Sequence, residues 1–336
     1  MQPEPRPELA GLAPAVHGGD APPGVLDFST GISPLAPPPA ILAALRGAEV
    51  TRYPDPTALP LRRRLAEAHG VAPDQVVAGA GSVELIWALA RAFAGPGRRG
   101  LVLGPAFGEY RQALLASGAA CDELRPAEPP FLVATEAARR ALRANPALVF
   151  LCRPSNPCLS TLPLDRLEEL ARSAPSTLFA VDEAYLPMFD EVEPAPLLPN
   201  VAVLRSLTKV FALPGLRLGY LLAVPPVARA VQASLPPWNV SAPAQAAGLA
   251  AVAALDQVPA IREQIRALRL SLASKIRATI DAAGGPFLLC RVGDAAAVTA
   301  RLLAGGVRVR DCSSFGLPAH VRIGVRPEAE QSRLAL

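Results

Sequence analysis

Lysine is almost missing from this chain. Of 336 residues only Lys209 and Lys275 are lysines, while thirty-one arginines carry the remaining side-chain positive charge. Cysteine is also sparse, with five residues (Cys121, Cys152, Cys158, Cys290 and Cys312) and no CxxC pair. That argues against a disulfide scaffold and for a reduced, cytoplasmic protein. Aromatic residues make up only 5%, and no basic run interleaves with them, so nucleic acid is not an expected partner despite the net charge of +4. The three histidines, His17, His69 and His320, lack metal-ligand spacing, and no metal is expected. The amino-terminal stretch MQPEPRPELAGLAP has no apolar run of the kind a secretory signal needs. The charge-free stretch from Ala230 to Leu255 is interrupted by Pro236, Pro237, Asn239 and Gln245, which would be costly in lipid. A loop followed by a buried helix is expected there, not a membrane span.

What the chain does contain is a regular alternation. From residue 76, short apolar runs near Val76–Ala78, Leu101–Leu103, Cys121–Leu124, Leu148–Leu151, Phe179–Val181, Val201–Leu204 and Gly219–Leu222 read as strands. Helical patterns near Val83–Phe93, Glu109–Ser117, Thr135–Ala144 and Leu164–Ala171 fill many of the gaps. Strands alternating with helices predict an α/β fold with a mostly parallel sheet. Residues 1–40 read as an arm that packs on the smaller domain and carries a substrate loop, 41–225 as a large domain, and 226–336 as a smaller α+β domain. The last begins with a long helix over Val258–Ala283, followed by strands near Phe287–Arg291, Val307–Arg310 and Val321–Val325.

Lys209 invites the question of what arginine cannot do at its position. Arginine stays protonated, whereas a desolvated lysine amine is a nucleophile toward an aldehyde. Its neighbours Ser206 and Thr208 offer hydroxyls, and Arg217 offers a fork suited to phosphate. Gly79-Ala80-Gly81-Ser82 follows a strand and opens a helix, so Gly81 and Ser82 present free N–H groups to an anion. Asp182 ends a strand, where α/β folds place ligand-binding groups. An amine for an aldehyde beside donors for a phosphate predicts pyridoxal 5′-phosphate as cofactor.

With these residues the chain resembles the pyridoxal phosphate-dependent enzymes of fold type I, the class I/II aminotransferase superfamily. The resemblance rests on S-L-T-K at Ser206–Lys209 with Arg217 eight residues on, R-P-S-N-P at Arg153–Pro157, and D-E-A-Y at Asp182–Tyr185. It implies a seven-stranded large-domain sheet with one antiparallel strand. It also implies that Lys209, Asp182 and Tyr185 are catalytic, Asp182 pairing with the pyridine nitrogen and Tyr185 reaching the phenolate oxygen. Phe107 would stack on the cofactor ring, and Asn156 would donate to the phenolate oxygen. Tyr53 would reach the cofactor phosphate of a partner subunit, implying a homodimer with shared active sites. Arg322 would clamp a substrate carboxylate, with Arg326 as second anchor. Arg153, Cys158 and Leu159 depart from the family's N-P-x-N-P-x-G.

His17-Gly18-Gly19 and the stretch Leu26–Pro38, which contains Ile32, are similar to the threonine-phosphate decarboxylases of that superfamily, as is Arg310–Leu317. Ser33 stands where that pattern has asparagine. The expectation is therefore decarboxylation of L-threonine O-3-phosphate in cobalamin biosynthesis, with His17, Ile32, Asn156 and Arg322 at the substrate. Histidinol-phosphate aminotransferase is the alternative. Both readings require a small phosphorylated amino substrate.

Overall fold

A computed structural model describes residues 3–190, 192–334 and 336. Thirteen strands arise in chain order: β1 (Leu26–Asp27), β2 (Val76–Gly79), β3 (Arg99–Leu103), β4 (Ala120–Leu124), β5 (Leu148–Cys152), β6 (Leu178–Asp182), β7 (Val201–Ser206), β8 (Gly219–Leu222), β9 (Thr279–Gly284), β10 (Phe287–Arg291), β11 (Val307–Arg308), β12 (Arg310–Asp311) and β13 (His320–Gly324). Seven form one sheet in the order β2-β8-β7-β6-β5-β3-β4. Only β8 runs against its neighbours, pairing antiparallel with both β2 and β7. The fold is thus the α/β architecture of fold type I.

Burial explains which runs sit where. β5 (LVFLC) and β6 (LFAVD) are buried at every residue, as central parallel strands covered on both faces must be. β4 (ACDEL) lies at the edge, where Asp122 and Glu123 remain reachable by water. Helices Ser82–Phe93, Glu109–Ala116 and Leu164–Ser173 bury Leu85, Ile86 and Leu89, then Tyr110 and Leu114, then Leu167 and Leu170. These stripes recur at three- and four-residue spacing, the period that puts one helix face on the sheet. The carboxyl ends of β2, β5, β6 and β7 carry Gly81, Asn156, Asp182 and Ser206 to one rim.

A second, antiparallel sheet has the order β12-β13-β10-β9, and a two-stranded parallel ribbon joins β1 to β11. The segment around residues 28–31 crosses β13 very closely. A Cβ on Gly324 would lie 2.1 Å from the Thr30 carbonyl oxygen, and one on Gly31 would lie 1.8 Å from the Phe287 ring. Only glycine allows that crossing.

Two expected boundaries change. The helix beginning at Val258 ends at Lys275, not Ala283, because Ile276 turns extended (ψ 129°). Thr279–Gly284 then pairs with Phe287–Arg291 through a turn at Gly285, φ +46°. Alanine made that tract look helical, whereas cross-strand pairing decides it. The expected single strand over Val307–Arg310 breaks at buried Val309, so that β11 serves the ribbon and β12 the antiparallel sheet. Within Ala230–Leu255, a helix from Pro225 continues to Ala233, and Ser241 caps a second helix over Ala242–Ala253. No single helix among the described residues is long and apolar enough to cross a membrane.

Candidate active site

The rim of the large sheet opens into a cavity of about 420 Å³. It is lined by Gly81, Ser82, Phe107, Asn156, Asp182, Tyr185, Ser206, Thr208, Lys209, Arg217, Arg322 and His17, all named above from the sequence.

One end is built to receive an anion. β2 stops at Gly79, Gly81 adopts φ +80°, and the helix starts at Ser82. A Cβ on Gly81 would lie 2.6 Å from Arg217 Nη2, so only a bare glycine lets the guanidinium rest over the helix start. Across the sheet, a Cβ on Gly219 would lie 2.4 Å from Ser82 N. The buried Ser206 and Thr208 hydroxyls lie 3.0 Å apart. Gly81 N–H, expected to be free, instead donates to the Gly79 carbonyl at 2.7 Å. The first-turn N–H groups from Ser82 on, one guanidinium and two hydroxyls form the donor set that fits a phosphate monoester.

Lys209 lies at the same rim, its carbonyl accepting from Ser33 N at 2.9 Å. Burial, with help from Arg217 and Arg322, lowers its amine to about 8, and Asp182 opposes the shift. The amine is therefore about one-tenth neutral at pH 7, a far larger share than an ordinary lysine has. Asp182 accepts from Ala184 N at 2.9 Å and from the Tyr110 hydroxyl at 2.8 Å. Burial pushes its carboxyl up, while these two donors and the Lys209 charge favour the ionised form. A buried carboxylate with a cation nearby fits a protonated ring nitrogen. These groups suit pyridoxal phosphate together: a cradle for its phosphate, an amine for its aldehyde and an acid for its ring.

Arg322 anchors the far wall. Its guanidinium donates to Asn156 Oδ1 and to the Ser29 carbonyl, and stacks on Phe287 at 4.8 Å. Its Nε is buried without a hydrogen-bond partner among the described residues. Tyr185 packs edge-on against Phe287 at 4.9 Å, and its hydroxyl is pushed up to about 12 by burial, with Arg322 opposing.

Arg310, Tyr110 and Glu109 also line the cavity and were missed as site residues in the sequence. Arg310 pairs across the strands with Arg322 and donates to the Val16 carbonyl (2.8 Å) and Ser314 Oγ (2.7 Å). The alternation of V-R-V-R over 307–310 was the available signal. Tyr110 follows Phe107 by three residues across the helix start, and the two rings meet edge-on with centroids 5.8 Å apart.

Three expected residues lie outside the cavity. Arg326 follows the end of β13 and pairs with Glu330 at 2.8 Å. Ile32 is half-buried beside the cavity but does not line it, since the backbone turns away after Gly31 to bond Lys209. Tyr53 is 83% exposed and rests on Trp238, ring centroids 4.9 Å apart. The departures from the family loop are accommodated. Arg153 turns away from the cavity to the fully buried Glu183 (3.2 Å), which Arg205 also meets at 2.6 Å. Leu159 adopts φ +63° where the family has glycine, with its N–H bonded to the Ser155 carbonyl at 2.9 Å.

Known proteins are similar to this chain over most of its length. The chain is 37% identical over 310 residues to the histidinol-phosphate aminotransferase of Stenotrophomonas maltophilia, covering 85% of this chain and 83% of that protein. It is 34% identical over 324 residues to the enzyme of the same name from Thermobifida fusca, covering 91% and 87%. The crystal structure of histidinol-phosphate aminotransferase from Sinorhizobium meliloti in complex with pyridoxal-5′-phosphate superposes with a TM-score of 0.84 at 25% identity, over 92% of this chain and 88% of that one. L-threonine-O-3-phosphate decarboxylase from Porphyromonas gingivalis has a TM-score of 0.78 at 24% identity, over 92% and 97%, a likeness of fold alone. These relatives overturn the expectation of a threonine-phosphate decarboxylase, and with it the placement in cobalamin biosynthesis. The family model for aminotransferase class I and II matches residues 23–336, and the chain belongs to that pyridoxal phosphate-dependent family.

Proposed function

We propose that the protein is a histidinol-phosphate aminotransferase, moving the amino group of histidinol phosphate to 2-oxoglutarate. The observation that carries this reading, beside the named relatives, is a second group of cations in the cavity. Arg310 and Arg322, from β12 and β13, add to the Gly81–Arg217 cradle and suit a second anion. A phosphorylated amine and a dicarboxylic oxo acid each bring an anionic end to such a pair.

In this reading Gly81, Ser82, Ser206, Thr208 and Arg217 hold the cofactor phosphate, and Phe107 faces its ring. Asp182 keeps the ring nitrogen protonated, with Tyr110 holding the carboxylate in place. Asn156 and Tyr185 serve the phenolate oxygen. Bound pyridoxal phosphate supplies an electron-withdrawing ring that acidifies the substrate Cα–H bond. Lys209 Nζ, the amine that would hold the cofactor's aldehyde, would also be the base placed to take and return that proton. Arg322 orients the substrate so that the correct bond faces Lys209. Tyr53, exposed beside Trp238, offers its hydroxyl to the cradle of a second copy, so that two chains share their sites.

The test offers histidinol phosphate with 2-oxoglutarate and measures glutamate. Glutamate formed in proportion to the amine consumed supports the proposal. Release of CO₂ from threonine phosphate with no glutamate from histidinol phosphate would overturn it.

A further inference from the structure

The cavity contains a carboxylate that the reaction above does not use. Its lining carries Lys209, Arg217, Arg310, Arg322 and His17 against two acids, Asp182 and Glu109. Asp182 serves the ring. Glu109 would repel an anionic substrate, so its presence needs another reason.

Both of its oxygens are committed. Oε1 lies 2.8 Å from His17 Nε2, ninety-two residues away in sequence, and Oε2 accepts from Trp87 Nε1 at 2.7 Å. Glu109 is 9% exposed. A carboxylate only accepts, so Nε2 of His17 must carry the proton at this contact, and Nδ1 is the ring nitrogen that Glu109 leaves free. The imidazole also packs on Phe107, centroids 5.4 Å apart. The backbone on either side is tied down as well: before His17 the Val16 carbonyl accepts from Arg310 (2.8 Å) and the Ala13 carbonyl from Gln112 (3.0 Å), and after it Gly19 N donates to Ser29 Oγ (2.9 Å). These contacts hold the ring at the wall of the cavity that Arg310 also lines.

We infer that Glu109, braced by Trp87, is a positioning residue for His17, holding its ring so that Nδ1 serves the phosphate end of the substrate. In the protonated imidazole Nδ1–H donates to a phosphate oxygen while Nε2–H stays on Glu109. The carboxylate then offsets the imidazolium charge instead of facing the substrate. This extends the proposed function by naming what recognises the phosphate, and it rests on that reading for the identity of the substrate.

The test uses the pyridoxal phosphate-loaded protein, whose cofactor fills the other cradle, with inorganic phosphate as probe. Dissociation constants are measured by calorimetry for the wild type, Glu109→Gln, His17→Gln and the double variant. Each single change weakens binding about tenfold, as expected for loss of a charge-assisted hydrogen bond, and the double variant is no weaker than His17→Gln. A Glu109→Gln loss that persists undiminished in the His17→Gln background overturns the inference, as does a Glu109→Gln variant that binds phosphate as the wild type does. Should Glu109→Gln fail to fold, Trp87→Phe replaces it in the same cycle with the same prediction. A second readout needs no ligand. Long-range ¹H–¹⁵N spectra, with His17 identified by its loss in His17→Gln, show the neutral ring protonated on Nε2. Protonation on Nδ1 in the wild type contradicts the inference, even if histidinol phosphate is not the substrate.

Discussion

Tyr110 donates its hydroxyl hydrogen to Asp182 Oδ2 at 2.8 Å while its ring stacks on Phe150 at 5.1 Å, nearly parallel. Burial and then the Asp182 charge raise the Tyr110 hydroxyl well above its usual range, so it remains a donor. The residue thus links the helix after β3 to the acid at the end of β6. Tyr110→Phe keeps the stack and removes one of two donors to a buried carboxylate, a loss of about 1–2 kcal/mol. We expect kcat to fall about tenfold with little change in melting temperature, since about 1.4 kcal/mol is tenfold in rate. An unchanged kcat would show that Asp182 does not depend on this bond.

The Lys209 amine, lowered to about 8 chiefly by burial, gives a pH prediction. Its neutral, reactive form grows as pH rises through about 8 and is scarce below about 7. In cofactor-free protein, acylation of Lys209 by a small reagent should show an inflection near pH 8, read by peptide mass spectrometry. Lys275, the other lysine, marks the general reactivity of the reagent. A Lys209 profile with no inflection below pH 10 would contradict the desolvated setting.

How much of this was legible beforehand differs between elements. β5 and β6 were readable because fully buried parallel strands must be apolar along their length. Lys209 stood out because arginine had displaced lysine nearly everywhere else. The helix end at Lys275 was not readable, since residues 279–284 become a strand only through pairing with β10. Tyr110 and Arg310 escaped notice for a similar reason. Their partners, Asp182 and Arg322, lie 72 and 12 residues away, and the V-R-V-R alternation that marks Arg310 as a strand residue does not point to Arg322. The decarboxylase expectation rested on the glycine-rich arm and on Arg310–Leu317, short local likenesses that the relatives matched along most of the chain outweigh.

Gly31 should tolerate no side chain. An added Cβ would meet the Phe287 ring at 1.8 Å, and that ring lies under Arg322 and beside Tyr185. Gly31→Ala is expected to destabilise the protein by about 1–3 kcal/mol, the usual cost of overpacking a core. It should also raise the KM for substrate by displacing Arg322. Denaturant unfolding checks the first effect and steady-state kinetics the second.

Glu183 sits fully buried between Arg153 and Arg205, and also accepts from Ala195 N at 2.8 Å. Glu183→Ala leaves two guanidinium groups without their counter-charge, which should cost about 3–5 kcal/mol. The measurement is the denaturant midpoint. A loss below about 1 kcal/mol would place this cluster with exposed ion pairs in strength.

With only two lysines in the chain, the central claim has a direct measurement. The protein loaded with pyridoxal phosphate is reduced with borohydride, digested, and its peptides are weighed. The account predicts that the cofactor mass is found on the peptide containing Lys209 and nowhere else. Cofactor mass on Lys275, or on no peptide at all from fully active protein, would contradict it.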